Sequence, residues 1–160
     1  MPGGAVVARG DAVARARAEI TIDRSPDVVW AAIGDFDDLG WFPGIESWTL
    51  DGDVRSTKVA GMDLVHVERE VHRDDDARTY TYETVGYTGS TVVTLPDGST
   101  LDLNDHAGRH RGTISVAAEG DGSSHVIYDT ELDDDETGEV EGMGQRYQQV
   151  LVRLKGELES

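Results

Sequence analysis

The feature that most constrains this chain is its last amphipathic stretch, from Val140 to Leu158. Val140, Met143, Tyr147, Val150, Leu151, Leu154 and Leu158 recur at spacings of three and four, so they form one stripe along an α-helix. The opposite face carries Glu141, Gln145, Arg146, Gln148, Gln149, Arg153, Lys155, Glu157 and Glu159. A helix with a single apolar stripe must lie on a large apolar surface. Gly142 and Gly144 fall in its first turns. Glycine there weakens a helix by about 1 kcal/mol relative to alanine; it also leaves space between helix and neighbour, and both readings stand.

The surface for that helix has to come from strands. Ala14, Ala16, Ala18, Ile20 and Ile22 alternate with Arg15, Arg17, Glu19 and Thr21, the period of a strand with one buried face. Ser25-Pro26-Asp27 then supplies an N-cap, a first-turn proline and a dipole-matched acid for a short helix ending at Gly34. A second short helix or turn is expected over 37–41, broken by Pro43-Gly44. Strands follow at 45–50, 54–59, 63–71, 79–85, 110–118 and 126–132. A further hairpin at 91–103 turns on Pro96-Asp97-Gly98. In 63–71 the valine-bearing odd positions Val65, Val67 and Val71 are assigned to the core and carry Arg69 inward. His66, Glu68, Glu70 and His72 are assigned to a solvated outer face.

With 160 residues, 38% apolar and 29% charged, the chain reads as one domain with a real core over 13–160, preceded by a glycine-rich flexible arm over 1–12. Its net charge of -18 repels phosphate backbones and anionic headgroups, so neither nucleic acid nor membrane is an expected partner. The acidic runs at 74–76 and 133–136 read as solvated turns, with a cation site as the weaker alternative. There is no cysteine, which excludes disulfides and thiolate chemistry. No basic start with a long apolar run opens the chain, and no apolar run approaches the roughly 20 residues of a bilayer span; a cytoplasmic location is expected.

The order of elements, with Ser25-Pro26-Asp27-Val28-Val29-Trp30, Gly34-Asp35-Phe36 and Leu39-Gly40-Trp41-Phe42-Pro43-Gly44-Ile45, resembles the START/Bet v 1-like (SRPBCC) superfamily, and within it the bacterial polyketide cyclase/dehydrase-like group. Glu68-Arg69, the 74–78 turn and Tyr80-Thr81-Tyr82-Glu83 are a second echo. The resemblance runs from Ala18 to the C-terminus. It implies an α+β helix-grip fold: a curved antiparallel sheet of about seven strands wrapped around the C-terminal helix, two short helices closing one end, and an elongated apolar cavity between them. Two departures are a short, glycine-poor loop between the second and third strands and a long 86–109 segment, whose hairpin is open to reading as a lid or a homodimer contact.

No nucleotide-binding loop, serine elbow or metalloprotease helix is present. What alternation turns inward is Arg69, Tyr80, Tyr82, His110 and Tyr128. The helix stripe adds Met143 and Tyr147, and Trp30 and Trp41 stand at the ends. Aromatic walls with a few convergent polar groups suit a hydrophobic small molecule. The expected roles are proton transfer by His110 and enolate stabilisation by Arg69 and Tyr82. Trp30, Trp41, Tyr80, Tyr128, Tyr147 and Met143 would be ligand-binding walls. No metal and no cofactor is expected. Each polar group also has a bland reading: a rim salt bridge for Arg69, a structural imidazole for His110, core aromatics for the tyrosines. The implied function is a polyketide cyclase/dehydratase-like enzyme acting on a carbonyl-rich molecule. The rivals are a non-catalytic carrier or sensor of an apolar metabolite, and a collapsed cavity with a working surface.

Overall fold

A computed structural model describes residues 6–10, 13–133 and 139–160. Thirteen elements follow in chain order: β1 (Val6–Gly10), β2 (Val13–Ile22), α1 (Pro26–Ile33), β3 (Ile45–Asp51), β4 (Val54–Val59), β5 (Leu64–Asp74), β6 (Thr79–Gly89), β7 (Val92–Thr94), β8 (Thr100–Asp102), a 3-10 turn (Leu103–His106), β9 (His110–Ala118), β10 (Ser124–Asp133) and α2 (Glu139–Glu159). Among the described residues the main sheet has eight strands in the order β1-β2-β10-β9-β6-β5-β4-β3, and β7 and β8 pair apart from it. Every pairing is antiparallel. The molecule has the helix-grip fold.

Alternation places the core as expected on four strands. Ala14, Ala16, Ala18, Ile20 and Ile22 on β2, Tyr80, Tyr82 and Thr84 on β6, His110, Ile114 and Val116 on β9, and Val126, Tyr128 and Thr130 on β10 are all buried. Onto this surface α2 lays Val140, Tyr147, Val150, Leu151 and Leu154. Gly144 is buried and Gly142 is exposed with nothing within 4 Å of where a Cβ would stand, so the space-making reading does not hold for Gly142. Gln148 is buried with them. Its side-chain amide donates to Glu19 O at 3.0 Å and its carbonyl accepts from Glu19 N at 3.1 Å, so the helix is pinned to β2 by a paired backbone contact.

Three expectations need correction. The chain over Val6–Gly10 is a strand registered on β2, with Val6 opposite Arg17 and Gly10 opposite Val13, where a loose arm was expected. The rest of that arm, 1–5 and 11–12, lies outside the described residues. Residues 37–41 form turns, one of the two alternatives read there, so the second short helix implied by the resemblance is not formed: Asp35 Oδ1 accepts from Asp37 N at 2.9 Å and Asp38 Oδ1 from Gly40 N at 2.8 Å. Such short side-chain-to-backbone bonds compete with helix formation. The third correction is the facing of β5. Its even positions turn inward, with Leu64 and Glu68 buried, while Arg69 is exposed.

α1 begins as its sequence dictates, with Ser25 Oγ accepting from Val28 N at 3.3 Å and Pro26 at the first position. The segment after it is tied to the sheet by side chains donating to backbone carbonyls: Arg73 to Gly34 O at 2.7 Å, Arg55 to Phe36 O at 2.6 Å and Trp48 to Asp37 O at 3.0 Å. This sets the position of Leu39, Trp41 and Phe42, which close one end of the grip.

Candidate functional site

Between the inner face of the sheet and α2 lies an open-mouthed cavity with a void of about 60 Å³. Leu39, Trp41, Phe42 and Ile45 form the closing end. Arg55, Thr57 and Val59 come from β4, His66 and Glu68 from β5, Tyr80 and Tyr82 from β6, Ile114 from β9, Tyr128 from β10, and Arg146 and Tyr147 from α2.

Its most costly component is an ion pair. The hairpin register sets Arg55 opposite Glu68, and Arg55 Nε and Nη2 both donate to Glu68 Oε1, at 3.1 and 2.9 Å. Both residues are buried. Burial opposes the charge on Arg55, but Glu68 together with Tyr80 and Tyr82 outweighs it and holds the guanidinium pKa above its ordinary value. The same guanidinium lies over the Phe36 ring at 4.1 Å and the Tyr82 ring at 5.6 Å. Thr57 Oγ1 also donates to Oε1, at 3.4 Å. Glu68 Oε2 has no hydrogen-bond partner among the described residues.

The phenols form the second group. Tyr82 and Tyr128 hydrogen-bond hydroxyl to hydroxyl. Tyr147 stacks on Tyr128 with ring centroids 4.1 Å apart and planes 6° from parallel. Burial pushes Tyr82 and Tyr128 well above the usual phenol range, neighbouring phenols and the charge of Glu68 add to it, and burial lifts Tyr80 to about 12. All remain protonated donors near neutral pH. A pair of hydroxyls uses one hydrogen between them and leaves the other free to donate. Gly112 makes room for this pair: a Cβ there would meet Tyr82 Cζ at 2.5 Å.

His66 completes the wall, its ring edge-on to Tyr87 at 5.1 Å. Burial lowers its pKa; Glu68 partly opposes this and Arg146 adds to it, so the imidazole is neutral near pH 7.

The structure brings Trp41, Tyr80, Tyr82, Tyr128 and Tyr147 together at the cavity. Trp30 and Met143 pack against the core without lining it. Arg69 does not reach it: its side chain is 49% exposed and sits 3.7 Å from Asp53 on the outer face, the rim salt bridge weighed against the site role. His110 is buried behind the wall, with Nδ1 2.9 Å from Thr84 Oγ1 and Nε2 unpartnered among the described residues. Its pKa is lowered to about 4 by burial, with His66 and Arg111 adding, so it is a poor proton carrier at neutral pH. The 91–103 hairpin contributes nothing to the lining. Arg55, His66, Glu68 and Arg146 were not among the sequence candidates. One signal pointed to the first pair: a hairpin turning at Gly61-Met62 sets Arg55 opposite Glu68, opposite charges at facing positions.

Among the described residues no group of three or more His, Asp or Glu is placed to hold a metal ion, and no helix is long and apolar enough to cross a membrane.

Comparison with known proteins agrees with this architecture. A structure of an uncharacterised protein from Bacillus thuringiensis superposes with a TM-score of 0.71 at 22% identity, over 91% of this chain and 99% of the other. Norcoclaurine synthase from Thalictrum flavum, solved with dopamine and hydroxybenzaldehyde, gives 0.63 at 16% identity over 97% and 87%. Ara h 8.0201 gives 0.64 at 18% identity over 92% and 99%. These likenesses carry the fold. A search of curated protein sequences finds no match. The sequence profile described as "Polyketide cyclase / dehydrase and lipid transport" matches residues 13–159, nearly the whole chain. The chain therefore belongs to the polyketide cyclase / dehydrase and lipid transport family, within the START/Bet v 1-like superfamily.

Proposed function

We propose that the protein is a cofactor-independent cyclase or dehydratase for a small, hydrophobic, carbonyl-bearing molecule. The observation that carries this reading is the pairing of proton acceptors with proton donors around one cavity. His66, neutral near pH 7, and the unpartnered Oε2 of Glu68 stand on β5, while the Tyr82–Tyr128 hydroxyls stand on β6 and β10. In the chemistry proposed, the base on β5 takes a proton from the carbon next to a substrate carbonyl. The free phenol hydrogen bonds to the enolate oxygen that forms. The enolate then closes a ring on a second carbonyl of the same molecule, whose oxygen takes back the proton held by the base, or expels a β-hydroxyl, which leaves as water with the proton returned by the base. The void suits a one-ring substrate better than a long polyketide. A neighbour of the same fold was solved with two one-ring molecules, dopamine and hydroxybenzaldehyde.

A carrier is the second reading, and one observation favours it: the two hydroxyls already bond each other and do not need a ligand. The test is α-proton exchange of a panel of aryl ketones in D2O, followed by proton NMR. Accelerated exchange that is lost in Y82F and in E68Q supports the enzyme. Ketones that bind, by line broadening, without faster exchange overturn it in favour of the carrier.

A further inference from the structure

The chain carries 14 lysines and arginines against 32 acids, so an arginine without a carboxylate partner stands out. Most described arginines have one: Arg15 and Arg111 meet Glu131, Arg17 meets Asp129, Arg55 meets Glu68, Arg69 meets Asp53, Arg73 meets Glu70, Arg78 meets Asp27 and Arg153 meets Glu157. Arg24 and Arg146 have no ion pair among the described residues; Arg24 donates to Asp23 O at 2.7 Å, and of the two only Arg146 lines the cavity. Its guanidinium lies 5.8 Å from the Phe42 ring centroid and lines the cavity, while the residue as a whole is exposed. It therefore stands at the mouth, and Glu68, buried, stands at depth. The mouth cation acts inward: its charge adds to the burial that lowers the His66 pKa and works against the burial that raises the Tyr147 pKa.

We infer that Arg146 is the specificity residue of the cavity, and that the ligand is an amphipathic acid: an apolar ring with a carboxylate at the mouth on Arg146 and a hydrogen-bond donor, such as a hydroxyl or enol, at depth on Glu68 Oε2. This deepens the proposed function and rests on its reading of the cavity as the ligand site. The two ends have opposite requirements. Glu68 repels an anion, but its charge is compensated by Arg55, and the ring keeps the carboxylate away from it. A guanidinium at an apolar rim is matched to a carboxylate by its planar pair of donors. Phe42, whose ring centroid lies 5.8 Å from the guanidinium, adds a cation–π contact on its apolar side.

The test compares 4-hydroxybenzoate with its neutral methyl ester, by isothermal titration and by NMR titration of the His66 ring, in the native protein, R146Q and R146K. The acid is expected to bind about tenfold more tightly than the ester at low salt. R146Q should bring the two within about twofold with the ester unchanged, and R146K should keep part of the preference. Bound acid should raise the His66 pKa and bound ester should not, a readout that a merely structural Arg146 would leave alone. A preference that survives R146Q, or a native protein that favours the ester, overturns the inference while leaving ketone exchange as the separate measure of the enzyme reading. Failure of both compounds to bind the native protein overturns the inference and the cavity as a ligand site together.

Discussion

Arg55 and Glu68 face each other across β4 and β5, bonded through two nitrogens to one carboxylate oxygen, and both side chains are almost fully out of solvent. The same arginine donates to Phe36 O, so one ion pair fixes both the cavity wall and the segment that closes it. Removing one partner leaves the other charge buried and uncompensated, at about 3–5 kcal/mol. R55M is expected to lose that much by urea denaturation. R55M with E68L should recover most of it, short of about 1 kcal/mol for the orphaned Phe36 carbonyl, while ketone exchange stays lost. A double variant as unstable as R55M alone would show that the pair matters for packing and not for charge.

Arg69 is the counterpart. It is next to Glu68 on β5, but half exposed and 3.7 Å from an Asp53 that is itself exposed. Surface pairs of this kind contribute about 0–1 kcal/mol. R69A is expected to change unfolding free energy by no more than about 0.5 kcal/mol and to leave ligand binding and exchange as they were. Loss of either function in R69A would mean that the outer face of β5 takes part after all.

The contrast between these two arginines shows where sequence reasoning succeeds on this fold and where it fails. On β2, β9 and β10 one face is apolar and the other charged, and burial follows hydrophobicity; those strands and the α2 stripe were legible. On β5 the rule inverts. Val65, Val67 and Val71 point outward and His66 and Glu68 inward, because that stretch faces a cavity and not a packed core, and a cavity wall can hold polar groups that a core cannot. Bulges between Val67 and Glu68 and between Glu70 and His72 further shift its pairing with β6, and the second lets Arg73 reach Gly34 O and lie over the Trp30 and Tyr80 rings. Period-two alternation cannot register a bulge. β4 was silent for another reason: Val54-Arg55-Ser56-Thr57-Lys58-Val59 has no apolar face to assign, and only its pairing with β5 identifies Arg55 as buried.

Gly112 and Tyr82 give a prediction about shape. A methyl at position 112 would fall 2.5 Å from Tyr82 Cζ and 2.6 Å from its hydroxyl oxygen, and Tyr82 is held from the other side by Tyr128. Alanine ordinarily strengthens a strand relative to glycine by about 0.5–1 kcal/mol, so the sign is decided by the clash. G112A is expected to destabilise by about 1–3 kcal/mol and to break the hydroxyl pair. Combined with Y82L, which withdraws the ring, it should cost less than the sum of the two single changes, as neighbours sharing one space do not add. Strict additivity in the double-variant cycle would contradict the geometry.

The last prediction concerns acid. His110 is buried and its pKa is about 4, where an exposed histidine has 6.5. Between those values the unfolded chain holds a proton at this site and the native one does not, so the unfolded state gains as pH falls. The full stability is present above pH 6.5 and about 3 kcal/mol of it is lost by pH 4. His66, also lowered by burial, acts in the same direction. Carboxylates titrate in the same range, so the measurement is a difference: urea unfolding of the native protein and H110Q at pH 7 and pH 4.5. H110Q is expected to be the less stable at pH 7, having altered the Thr84 contact, but to lose roughly 2–3 kcal/mol less on acidification. Equal losses in the two proteins would mean that His110 takes up its proton in the folded state without penalty, which a buried ring with Thr84 on Nδ1 and no partner for Nε2 among the described residues does not allow.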